Sequence, residues 1–195
     1  GGALGATHIG VLKVLEELNV PIDIITGTSM GSIVGGLYAM GLNANELESV
    51  VRGIDWAKTF QDSPPRGALP VRRKQEDYGF LLDFKLGIRD GEIQLPAGLI
   101  QGQRLTLMMR ELTTRTHGIN DFDKLPIRFR AVAADLETGQ EVILKGGNLA
   151  TAMRASMSVP GLLPPVEVDG RLLVDGGVAN NLPADVARAM GAEVL

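Results

Sequence analysis

The sequence predicts an α/β domain, and three observations carry that reading. Short β-branched runs alternate with segments of helical apolar spacing along the chain. Glycine-rich turns stand where strands hand over to helices. The 195 residues are 45% hydrophobic and 22% charged, enough to bury one substantial core.

Gly1-Gly2-Ala3-Leu4-Gly5 runs into a helix in which Ile9, Leu12, Leu15 and Leu18 recur at helical spacing, with Glu16 and Glu17 directed outward and Asn19 and Pro21 ending it. A glycine loop opening a helix is an anion cradle, so it suits a phosphate, a dinucleotide or a forming oxyanion. No acidic residue follows a second strand at the offset that a dinucleotide site needs, and no Gly-Lys-Ser/Thr follows for a nucleotide loop. The oxyanion-hole reading of Gly2, Ala3, Leu4 and Gly5 fits best, because backbone N–H groups must then point at a charge forming near a nucleophile.

That nucleophile is predicted next. Ile22, Ile24 and Ile25 form a buried strand, and Gly27-Thr28-Ser29-Met30-Gly31 matches G-x-S-x-G, a serine on a sharp strand-to-helix turn. Glycines two before and two after are expected to let backbone pass close to the strained serine. The helix Ser32–Met40 carries Gly35 and Gly36, each costing about 1 kcal/mol against alanine unless it packs closely against a sheet. The alternative is a turn whose serine merely caps the helix.

A helix over 43–54, entered by Asn43 or Asn45, precedes residues 55–101, which change in character. Ser63-Pro64-Pro65-Arg66-Gly67, the basic run Arg72-Arg73-Lys74 and the aromatics Tyr78, Phe80 and Phe84 read as an inserted cap, with a hairpin turning at Asp90-Gly91. The basic run is either a solvated face or a place for head-group phosphates. Leu105, Met108, Met109 and Leu112 form a helical stripe that faces either the core or lipid. Residues 127–134 and 140–144 read as paired strands, and 150–157 as a helix. Residues 166–174 form a hairpin around Asp169-Gly170, leading to Asp175-Gly176-Gly177 and a helix over 184–190.

An aspartate freed at a strand end by two glycines can reach a neighbouring loop. His8 sits inside the first helix and His117 in a polar loop, so Asp175 taking the serine proton directly is simpler than a triad, although His117 stays open as a base. A net charge of −4 gives no drive towards nucleic acid, and without cysteines there is neither a disulfide nor a thiolate metal site. No signal peptide or 18-residue apolar span is evident. A start at Gly1 and an end at Leu195, where a strand is beginning, lead us to expect a domain of a longer protein, truncated at both ends.

The glycine loop, the Ser29 elbow and Asp175-Gly176-Gly177, in this order and with Arg154-Ala155-Ser156-Met157-Ser158-Val159-Pro160 before the last, resemble a patatin-like phospholipase domain over nearly the whole chain. The resemblance implies a three-layer α/β/α sandwich with a central mostly parallel sheet. It implies a lipid acyl hydrolase that needs no metal or cofactor, with Ser29 as nucleophile, Asp175 as base and the Gly2–Gly5 backbone as oxyanion hole. Its substrate would be a phospholipid or other acyl-ester lipid, met transiently at a membrane surface. An acyltransferase or lysophospholipase with the same pair, or a non-catalytic lipid-binding scaffold, are the competing readings. Leu4 stands where family loops often carry arginine or lysine, which removes a cationic side chain from that loop. The stretch from Ser63 to Gln103 is similar to a bacterial subgroup joined to an outer-membrane barrel, implying display at the cell surface or secretion, against a cytoplasmic alternative.

Overall fold

The computed structural model describes residues 5–60, 87–89, 92–94 and 100–195. In chain order the elements are α1 (Thr7–Glu17), β1 (Ile24–Thr28), α2 (Met30–Ala39), α3 (Ala44–Gly53) and the single turn α4 (Trp56–Thr59). The short strands β2 (Gly87–Arg89) and β3 (Glu92–Gln94) pair with each other, flanking residues 90 and 91, where the sequence places a turn that lies outside the described residues. Then come α5 (Gln103–Leu112), β4 (Arg128–Asp135), β5 (Glu141–Leu144), α6 (Leu149–Ser156), β6 (Val166–Val168), β7 (Arg171–Asp175) and α7 (Ala184–Ala189).

β4 organises the main sheet. β1 lies parallel to its first half, Thr28 opposite Val132 at the last rung. β7 lies antiparallel to its second half, starting with Asp175 opposite Ala133. β5 pairs with Ala131–Ala134. A strand has two edges, so β5 fills one and β1 and β7 share the other, meeting near Val132. Among the described residues the sheet is mixed, with β1–β4 parallel and β4–β5, β4–β7 and β6–β7 antiparallel. Two of its antiparallel pairs, β4–β5 and β6–β7, follow from short connections, above all the two-residue turn between β6 and β7, which only antiparallel strands can use.

Helices cover both faces. On one, α2 and α6 pack against β1 and β4. A Cβ on Gly35 would lie 2.7 Å from Ile25 Cγ2, and one on Gly36 2.9 Å from Met153 Sδ, so these glycines bring α2 close to the sheet and to α6. Thr26 and Thr28 point the other way, donating to the carbonyls of Pro183 (2.9 Å) and Asn180 (2.8 Å) in the segment that leads into α7. The three-layer expectation holds in this sense.

The stripe on α5 faces the core: Leu105 and Met109 are fully buried, with Met108 and Leu112 packed beside them. α1 departs from expectation. Only Ile9 of its stripe is buried, and Leu18 is 68% exposed. Glu16, expected to face outward, accepts from the N–H of Ala44 at 2.9 Å and so helps cap α3, whose Asn43 and Glu46 form a reciprocal capping box. Of the cap segment expected over 55–101, residues 61–86, 90–91 and 95–99, including Arg72, Arg73, Lys74, Tyr78, Phe80 and Phe84, lie outside the described residues.

Candidate active site

Ser29 follows the last residue of β1 and precedes the first of α2, with φ 56° and ψ −124°. For a residue with a Cβ this backbone is strained. The two glycines of the motif serve it unequally. A Cβ on Gly27 would stand 2.4 Å from the carbonyl oxygen of Gly31, so the strand can turn under the helix only if that position is glycine. A Cβ on Gly31 would meet nothing within 4 Å among the described residues, so its glycine is not demanded by packing there. The Ser29 carbonyl accepts from Ser32 N (2.9 Å) and Ser32 Oγ (2.7 Å), which fixes the first turn of α2 beneath the side chain.

Met30 links this elbow to the start of the chain: a Cβ on Gly5 would lie 2.2 Å from Met30 Cγ. The end of the glycine loop thus packs on the residue next to Ser29. Gly2, Ala3 and Leu4 lie outside the described residues.

The other half of the site arrives on β7. Asp175 is 7% exposed, and its Oδ2 accepts a 2.6 Å hydrogen bond from Ser29 Oγ. Its Oδ1 accepts from the N–H of Gly177 at 2.7 Å, and its own N–H donates to Ser158 O at 2.9 Å. Gly176 must be glycine, because a Cβ there would stand 2.2 Å from Val132 O. Both carboxylate oxygens are therefore engaged, one by backbone and one by the serine. His8 and His117 are both exposed, and neither intervenes in the Ser29–Asp175 contact. Among the described residues no three His, Asp or Glu side chains converge as metal ligands would.

The run from Arg154 to Pro160 carries no sequence pattern that assigns its residues individual roles. The structure places it directly behind the pair. Ser156 Oγ accepts from Ser29 N at 3.0 Å and donates to Val132 O at 2.5 Å. Arg154 is buried and donates to Ser158 Oγ, and its Nε has no partner among the described residues. Burial pushes its guanidinium pKa down from the ordinary value.

A family model described as patatin-like phospholipase matches residues 1–188. The chain belongs to the patatin-like phospholipase family. Patatin-like phospholipase domain-containing protein 6 of Mus musculus is 33% identical over 197 residues, spanning 100% of this chain and 12% of that protein. An uncharacterized NTE family protein of Mycobacterium tuberculosis is 35% identical over 183 residues, spanning 94% of this chain and 42% of that one. The chain thus spans well under half the length of these patatin-like relatives. Among solved structures, VipD from Legionella pneumophila superposes with a TM-score of 0.58 at 15% identity, over 94% of this chain and 45% of that one. That likeness is one of fold.

Proposed function

We propose that this chain is a serine hydrolase of lipid acyl esters, with Ser29 as nucleophile and Asp175 as general base. The observation that carries the reading is the direct 2.6 Å hydrogen bond from Ser29 Oγ to Asp175 Oδ2, with no imidazole between them. Asp175 takes the hydroxyl proton as Oγ attacks the ester carbonyl, and the carbonyl oxygen gains the charge. The N–H groups of the Gly2–Gly5 loop, whose last glycine packs on Met30, and the positive end of α2 stabilise that oxyanion. Collapse expels the alcohol, which takes the proton back from Asp175, and leaves an acyl-Ser29. Water then attacks the acyl group with Asp175 accepting its proton and passing it to the departing Ser29 Oγ, which releases the fatty acid and restores both the serine and the carboxylate. Family membership supports lipid esters, phospholipids among them, as the substrate class, met at a membrane surface. Residues 55–101 would cap the site. No metal or cofactor enters this scheme.

A fluorophosphonate probe followed by peptide mapping tests it, alongside fatty-acid release from defined phospholipid vesicles. Labelling at Ser29 and release that disappears in Ser29→Ala are expected. Labelling elsewhere, or release unaffected by Ser29→Ala, would remove the assignment.

A further inference from the structure

The backbone N–H of Ser29 and the carbonyl of Val132 are the groups that the next rung of the sheet would join. In a parallel ladder alternate residues of a strand bond to one neighbour, each carbonyl accepting from the N–H one place beyond its register partner. Val132 is such a residue towards β1, because Asp135, an odd number of places along β4, donates its N–H to Gln140 O on the β5 side. Thr28 is the partner of Val132, so Ser29 N–H and Val132 O should pair. They do not: the hydroxyl of Ser156, at the end of α6 and fully buried, stands between them, 3.0 Å from one and 2.5 Å from the other.

We propose that Ser156 is a positioning residue, a hydroxyl wedge that ends β1 one rung early and holds Ser29 in its strained conformation. The proposal rests on the reading of Ser29 as nucleophile. A hydroxyl is suited to the place because one oxygen both accepts from an N–H and donates to a carbonyl. Without it two buried backbone groups lose their partner, and they satisfy each other by closing on themselves. That closure adds Ser29 to β1, draws its φ out of the left-handed region and swings Oγ away from Asp175. The same carbonyl also bounds the other arm, since Gly176 passes so close to Val132 O that no side chain fits. Val132 O is thus where the serine and aspartate strands abut, and Ser156 fixes the spacing between them. With its N–H committed to Ser156, Ser29 contributes no donor of its own to an oxyanion.

The test is Ser156→Ala in the full chain, read in two ways. A crystal structure should show Ser29 N within hydrogen-bond distance of Val132 O and Ser29 φ negative. With a short p-nitrophenyl ester, kcat should fall about 10²-fold, the scale of an ångström-level misplacement, with KM little changed and fluorophosphonate labelling slowed in parallel. Ser156→Thr, which keeps the hydroxyl, should recover most of that loss. Thr113→Val removes a buried hydroxyl remote from the site, one that donates to Met109 O at 2.8 Å, and controls for general softening. Ser29 left at its parent φ in Ser156→Ala, or a kcat loss matched by Thr113→Val at equal loss of stability, overturns the wedge. If Ser156→Ala does not fold, Ser156→Cys decides: its thiol fills the site but bonds weakly, so parent-like kcat refutes the proposal. Failure of the parent to be labelled at Ser29 would instead refute the hydrolase reading, while the crystal structure still judges the wedge.

Discussion

Among the described residues three non-glycine positions have a positive φ, and two of them adjoin the strands that bring Ser29 and Asp175 together. Ser29 sits at φ 56° at the end of β1; Asp169 sits at φ 49° in the turn that feeds β7. Asp169 is followed by Gly170 at φ 75°, so the two make the left-handed pair that a tight hairpin needs, and Asp-Gly adopts it from local preference alone. Ser29 has no such preference. Its conformation is imposed from outside, by the bare Gly27, by α2 closing over its carbonyl and by the Ser156 hydroxyl. One turn is written in two adjacent residues, whereas the other also depends on a hydroxyl 127 residues further along the chain. On the proposed mechanism the difference separates strain that serves chemistry from geometry that merely reverses the chain.

Removing the two groups proposed to react should give the largest effect. Ser29→Ala and Asp175→Asn should each lower turnover about 10⁴-fold or more, the scale seen when members of a catalytic unit are lost, while His117→Ala leaves it unchanged. A deep loss in His117→Ala would restore a histidine base. Ser29→Gly sharpens the comparison. It should be just as inactive but more stable than Ser29→Ala by about 1–2 kcal/mol, because only glycine is at ease at this φ. Equal denaturation midpoints for the two variants would mean that the elbow holds no strain.

Gly5→Ala comes next, with an expected loss of about 10²–10³-fold in kcat, the cost of displacing one oxyanion donor. The added methyl would drive into Met30, so KM should rise less than kcat falls. Losses divided evenly between the two parameters would point to a collapsed loop. The glycines flanking Ser29 should then part company. Gly27→Ala forces a methyl against backbone and should destabilise by about 3 kcal/mol. Gly31→Ala enters open space on a helix, where alanine is favoured, and should keep or raise stability by up to about 1 kcal/mol. Urea titrations of the two variants give the answer directly.

The sequence made local features legible and non-local ones obscure. The β-branched run of β1, the Asp169-Gly170 hairpin, the apolar stripe of α5 and the glycine pair in α2 all follow from a few neighbouring residues, although which way the stripe faces does not. That β1 and β7 share one edge of β4 does not, since both pairings join residues far apart in the chain, Thr28 with Val132 and Ala133 with Asp175, and no periodicity records them. The sheet's mixed character stayed hidden for the same reason. Glu16 looked solvent-facing because helical spacing cannot foresee that α3 would offer it an unpaired N–H. Ser156 was visible only as part of a motif, because a hydroxyl that bridges two backbone groups leaves no pattern in the sequence around it.

Asp169 gives the smallest expected effect and the cleanest check on the comparison. The side chain is exposed, and the Asp-Gly turn connects β6 to β7 six residues before Asp175. Asparagine is at least as comfortable as aspartate in the left-handed region, so Asp169→Asn should move stability by less than about 0.5 kcal/mol. Alanine has no short polar side chain to stabilise that backbone, so Asp169→Ala should cost about 1 kcal/mol. In both variants kcat should match the parent, because Asp175 is held at its own end of β7 by Ser158 O, Gly177 N and its pairing with β4. Denaturation midpoints and kcat measured on the same preparations separate the two effects. A fall in kcat for Asp169→Ala would mean that the turn's geometry is transmitted along β7 to the carboxylate. The two left-handed residues would then be parts of one strained unit rather than a local turn beside an imposed one.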